Sequence, residues 1–399
     1  MRLFAALLMA LAHASPDAFL ASLYVPGPGP ATLLARTAPE QPSCAIYDVA
    51  LASLRELEQG HQEQAGQLLA GMVAVQRADG SLPFSFRLPK PDDGPPYLRA
   101  GAMAWVGYAA ARYLNDGPGG PARNEIAAMA HKLAAHLLAT RVQKAGDGRD
   151  GLVLGGSGGY RYELAPNGEV KERFVPGEVV WVSTEHNVDV YFFLDALGHA
   201  TGTPRYLEEA REIARALQAR LWSDEAGQFW QGATASGPDK SYALDCASWG
   251  ALFLLAAGQR ERAQKAYITA EARYGTADPS AFVLGHKPYV HRPVIENRAL
   301  AEHYKAEVPT AAWDDLPAVW PEGSAGVALA ALRLGYKERA RSILEELDRL
   351  RETNGGLPGL TRAIPLEFEK APALAGTAWA AMVQQELDAK PGYVGLWAR

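Results

Sequence analysis

Six stretches of the chain are apolar on nearly every side and rich in Ala and Gly. They begin near Cys44 (CAIYDVALASLRELEQG), Arg99 (RAGAMAWVGYAAARYL), Ser183 (STEHNVDVYFFLDALG), Tyr242 (YALDCASWGALFLLAAG), Pro321 (PEGSAGVALAALRLG) and Pro372 (PALAGTAWAAMVQQEL). A helix that is apolar around its circumference is one buried on all sides. Five of the six are followed by a segment of different character. Residues 123–143, 204–221 and 337–352, for example, carry charges on one face and Leu, Ile and Ala at three- and four-residue spacing on the other. These read as outer helices with one wet face.

The links within each pair are short, at Gly60, Gly202-Thr-Pro204, Gly258 and Gly335, which makes the pairs antiparallel hairpins. Glycine-rich turns such as Asp79-Gly80, Asp150-Gly151 and Asn354-Gly355 then lead to the next pair. The inner segments recur about every 66 residues from Asp48 to Gly376, and a repeat of that length governs the whole fold. The expectation is an all-α (α/α)6 barrel: a toroid of six helical hairpins, with short β-like connections at one mouth. A sixth outer segment is missing. Either the outer ring is incomplete after Lys390-Pro391-Gly392, or residues 16–24 complete it.

Composition narrows the class. The 399 residues are 48% hydrophobic and 21% charged, too apolar for a disordered chain. The net charge of −6 argues against a nucleic-acid binder. Met1-Arg2, the apolar run Leu3 to Leu11 and Ala12-His13-Ala14 have the form of a secretory signal peptide over residues 1–14. The alternative is a first helix of the fold. Residues 15–39 then form an N-terminal extension and 40–399 a single barrel domain. No integral membrane segment is expected in the mature chain, which is read as exported, periplasmic or secreted. Cys44 and Cys246 fall on opposite sides of the ring and are expected as free, buried thiols, with no C-x-x-C spacing.

Polar and aromatic residues that look out of place in apolar helices gather at the inner-helix starts. They are Tyr47 and Asp48; Trp105; Trp181 with Glu185, His186, Asn187 and Asp189; Asp245 with Trp249; Trp320 with Glu322; and Trp379. An acid in a first helical turn is stabilised by free N–H groups, which is an ordinary structural reason for any one of them. Four of six inner helices begin this way, however, and clustered carboxylates cost desolvation and raise one another's pKa values. Paired acids under aromatic rings are what glycosidic cleavage uses, one donating a proton and the other activating water or attacking carbon. Neither the E-H-N-V-D spacing nor any second histidine within a turn fits a metal site, and no cofactor motif is present, so neither metal nor cofactor is expected.

The layout over residues 40–389, with STEHNVD and WPEG, resembles the six-hairpin glycosidase superfamily, in particular its exported bacterial members. That resemblance implies an exported glycoside hydrolase acting on a polysaccharide or oligosaccharide. It implies Glu185, Asp245 and Glu322 as catalytic residues, with Asp48 and Asp189 beside them; the dense polar cluster around Glu185, with His186 and Asn187 able to orient it, makes Glu185 the expected general acid and Asp245 or Glu322 the base. Tyr47, Asp48, Trp105, Trp181, His186, Asn187, Asp189, Trp249, Trp320 and Trp379 are then expected to line the sugar site. Two other readings share the toroid. A polysaccharide lyase would use Tyr47 or His186 as base, with Arg99, Lys287 or Arg292 neutralising a uronate. A glycan-binding scaffold of an exopolysaccharide system would keep the groove without the chemistry. A terpenoid-cyclase-like toroid, prompted by Gln76-x-x-Asp-Gly-Ser, conflicts with the carboxylate ring.

Overall fold

The computed structural model describes residues 14–91, 97–116, 121–390 and 393–397. The apolar run expected as a signal peptide therefore lies outside the described residues. Thirteen α-helices occur among the described residues. They are α1 (Pro16–Ser22), α2 (Ile46–Glu58), α3 (Gln62–Val75), α4 (Ala100–Asp116), α5 (Pro121–Ala139), α6 (Thr184–Thr201) and α7 (Pro204–Arg220), followed by α8 (Asp245–Ala256), α9 (Arg260–Tyr274), α10 (Arg298–His303), α11 (Pro321–Leu334), α12 (Lys337–Asp348) and α13 (Leu374–Asp388).

The apolar helices α2, α4, α6, α8, α11 and α13 touch in that cyclic order, and α13 returns to α2. Each of the first five also packs against the helix that follows it in sequence (α3, α5, α7, α9, α12). The expected (α/α)6 barrel is present. Its inner helices are buried along nearly their whole length, as their lack of a polar face requires. Small residues permit this closeness. A Cβ on Gly107 would lie 2.4 Å from the Phe193 ring, so α4 and α6 meet at a distance only glycine allows.

The missing outer helix is α1, which packs on α13. Asp17 on it pairs with Arg55 at the end of α2 (2.8 Å), while Phe19 and Leu20 are buried. Within residues 15–39, α1 thus takes the sixth outer position, as the alternative that residues 16–24 complete the ring had it. The segment Tyr393–Trp397, too short for a helix, completes the inner ring in another way. Trp397 stacks on Phe192 (centroids 4.5 Å apart) and lies 4.9 Å from Trp105, and its N–H donates to the Tyr108 hydroxyl (2.7 Å). It plugs the barrel axis at the end where α4, α11 and α13 finish.

At the opposite end, short antiparallel strand pairs join the start of an inner helix to the chain returning from its outer partner. Residues 43–45 pair with 85–87, 98–99 with 156–157, 182–183 with 232–233, and 242–243 with 289–290. These bridges hold the starts of α2, α4, α6 and α8 at one mouth. A long hairpin, Gly156–Leu164 with Val170–Val179, rises from this belt. Residues 287–320, which include α10, form a second excursion, packed with Leu360, Ile364 and Phe368 around a small core that holds Trp313. Cys44 and Cys246 are both free and buried.

Candidate active site

The first turns of α2, α6, α8 and α11 bring Asp48, Glu185, Asp245 and Glu322 to the same end of the barrel, with Asp189 one turn deeper on α6. Their charges act on one another: Glu185 and Glu322 on Asp245, Glu185 and Asp245 on Asp189, and Asp48 and Glu185 on Glu322. Burial is the main cause of the resulting shifts. It pushes Glu185 up to about 7. It raises Glu322 to about 8, against the opposing Tyr47 hydrogen bond and with the Asp48 and Glu185 charges adding to the rise. Asp48 rises to about 7, eased slightly by Thr37. Asp245 and Asp189 are held well above the usual range by burial and then by neighbouring carboxylates, with Trp105 partly relieving Asp189. Such a cluster carries protons at neutral pH, as general acid catalysis requires.

Glu322 is the most firmly oriented of these acids. The Trp379 indole donates to the Tyr47 hydroxyl (2.7 Å), which donates to Glu322 Oε1 (2.6 Å). Glu185 sits differently. With Trp181, Ser183, His186, Gln231 and Asp239 it lines a cavity of about 350 Å³ open to solvent. The Ser183 side chain caps α6 by accepting the His186 N–H (3.4 Å), which fixes that first turn. Burial, and then the Arg99 charge, press His186 down to about 3, so its imidazole is neutral. Asp48 Oδ2, Asp245 Oδ1 and His186 Nδ1 are buried without a hydrogen-bond partner among the described residues. Orphaned polar atoms concentrated at one place mark a surface built to meet something polar.

Several residues expected to contact sugar lie elsewhere. Trp105, Trp249 and Trp379 are at most 2% exposed and form an aromatic layer one turn beneath the acids. Trp249 and Trp379 stack at 5.3 Å, with Trp105 edge-on to both. No sugar face can reach these rings; they are the floor. Asn187 is wholly buried, taking the Val153 N–H (2.8 Å) and donating to the carbonyls of Val153 and Ser183 (3.1 and 2.8 Å). It anchors a loop instead of a ligand. Asp48 and Asp189 are buried too and act on the site through charge. Trp320 is half-buried, packed edge-on to Phe368 (6.3 Å). Trp181, 40% exposed, is the one expected tryptophan on the open surface, tilted against His186.

Two contributors were not anticipated. Tyr289, in the strand beside the start of α8, is near enough for Asp245 and Glu185 to raise its hydroxyl further after burial. Its position in the irregular stretch 285–293 was the available signal. Trp397 had none, since nothing local marks a tail residue as an axial plug. His286, from the same stretch, is wholly buried against Glu271 (3.3 Å) and does not face the mouth.

Solved structures share this architecture across nearly the whole chain. A glycosidase variant in complex with glucose superposes with a TM-score of 0.62 at 14% identity, covering 93% of this chain and 95% of that one. A D-mannose isomerase gives 0.57 at 12%, with 86% and 87% covered. The GH76 α-mannanase of Bacteroides thetaiotaomicron gives 0.55 at 12%, with 93% of each covered. No family model and no curated protein matches the sequence. The likeness establishes the fold, a six-hairpin (α/α)6 barrel.

Proposed function

We propose that this chain is an exported glycoside hydrolase acting on a polysaccharide or oligosaccharide. One observation carries the reading: Glu185, Asp245 and Glu322 converge on one half-buried site with raised pKa values, and the two glutamates sit in different settings. Glu185 lines an open cavity and titrates near neutrality. It serves as the general acid, passing its proton to the oxygen of the departing sugar. Glu322, oriented through Tyr47 and Trp379, is the base or nucleophile on the opposite face, acting in the ionised form that the Tyr47 hydrogen bond favours. Asp245 lies electrostatically between them and, when ionised, favours the proton on Glu185. Trp181 offers a stacking face at the rim. The glucose held by one structural neighbour and the mannan-degrading name of another agree with a carbohydrate substrate.

Among the described residues that line this cavity His186 is the one histidine, whereas sugar epimerisation uses several. The test is mass spectrometry of products after incubation with neutral, amino-sugar and uronic-acid glycans. Fragments carrying one added water support hydrolysis. Unsaturated fragments overturn it in favour of elimination, and intact polymer that is bound but never cut overturns it in favour of a scaffold.

A further inference from the structure

A second opening lies beside the candidate site, between the starts of α2 and α4 and the long 156–179 hairpin. It is a groove of about 750 Å³. Four rings run along it edge to face, Phe84 to Tyr97 (4.9 Å), Tyr97 to Tyr160 (5.3 Å) and Tyr160 to Phe174 (5.4 Å), with Tyr160 46% exposed. Such a rail suits pyranose rings. Arg77, Arg87 and Arg99 line the same groove. The one acid among the described residues that line it, Glu172, already accepts the Tyr162 hydroxyl (2.8 Å).

Arg99 is the informative residue. Its guanidinium lies 4.4 Å from the Tyr97 ring centre and 5.9 Å from that of Trp181, joining the rail to the cavity of Glu185 and His186. Nη1 donates to the carbonyls of Leu98 and Gly158 (2.7 and 2.9 Å), and burial lowers its pKa. The Tyr97 hydroxyl partly offsets that burial, and among the described residues no carboxylate does. Among the described residues neither Arg77, Arg87 nor Arg99 enters an ion pair. A partly desolvated cation without a counter-charge is costly unless an anion completes it. The other two cations that the sequence offered for a uronate are engaged: Lys287 Nζ donates to the carbonyls of Trp313 and Asp314 (both 2.8 Å), and Arg292 pairs with Glu296 (2.8 Å).

We propose that this groove holds the continuation of an acidic glycan, its uronate carboxylates meeting Arg99, Arg87 and Arg77 while its rings lie along the aromatic rail. The inference rests on the hydrolase reading for what happens to that chain, but not for its binding. The experiment measures affinity of the full mature chain for polygalacturonate, alginate and hyaluronan, each against its carboxyl-reduced neutral form. At least one acidic polymer should bind about 10-fold or more tighter than its reduced form, a difference of ~1.4 kcal/mol, and the gap should shrink at high salt. Arg99→Ala and, separately, the exposed Arg87→Ala should narrow that gap, with unchanged melting of R87A guarding against misfolding. If no acidic polymer outbinds its reduced form, or the gap survives both substitutions, the proposal fails. Hydrolysis of neutral glycans alone would sink it while sparing the hydrolase reading. Acidic chains bound preferentially but cleaved to unsaturated ends would do the reverse.

Discussion

At the scale of single residues, burial gives the site both its reactivity and a cost in stability. Glu185 and Glu322 have ordinary values of 4.5 and are raised to about 7 and about 8 in the folded chain. The folded state therefore binds these protons more tightly than the unfolded one. Below pH 4.5 both states are protonated and no penalty exists. As pH rises from there the unfolded chain ionises first, so stability falls until about pH 8 and then levels off. Glu185→Gln and Glu322→Gln should each lower turnover by about 10²–10⁴-fold. Both should also melt ~2 °C or more above the parent at pH 8, the difference closing near pH 4.5; a lower melting temperature at pH 8 would make the acids structural. Tyr47→Phe removes the hydrogen bond that holds Glu322 down. If Glu322 must be ionised to act, the acidic limb of the kcat/KM profile should move to higher pH, and an unmoved limb would separate Tyr47 from the chemistry.

At the scale of elements, the repeated first turns place the acids and the second turns build the floor. Replacing Trp249 or Trp379 by Ala should cost about 3–5 kcal/mol in urea unfolding, as for other large buried aromatics. A loss of sugar affinity without that destabilisation would return them to the binding surface. The hairpins were legible in the sequence because a helix buried on all sides and one with a wet face have different periodicities, and Gly202 and Gly335 mark where one ends. The acids were legible because charge stands out in apolar helices. Depth was not. Trp105 and Trp181 look alike as letters beside a mouth, yet one turn of helix, or the strand before it, decides whether a ring faces solvent. Asn187 shows the same limit: a polar side chain in an apolar helix can satisfy the backbone of a distant loop, here Val153, which no local pattern reveals.

For the whole molecule, the ring is a closed circuit whose last contacts are α13 with α2 and with α1. Removing residues 16–22 should uncover the face of α13 that Phe19 and Leu20 cover and strip Arg55 of Asp17, lowering the melting temperature sharply. If the chain is exported as proposed, N-terminal sequencing of the protein should begin near Ser15. The closing contacts join segments separated by most of the sequence, so the entropy of bringing them together must be met before they repay it. A chain still being made is therefore an open horseshoe, its tryptophan axis bare and its acids far from their partners. Synthesis from one end delays the native state until α13 and the Trp397 plug arrive. The circuit that completes the acid cluster therefore also sets the moment at which a chain made from one end can first become active.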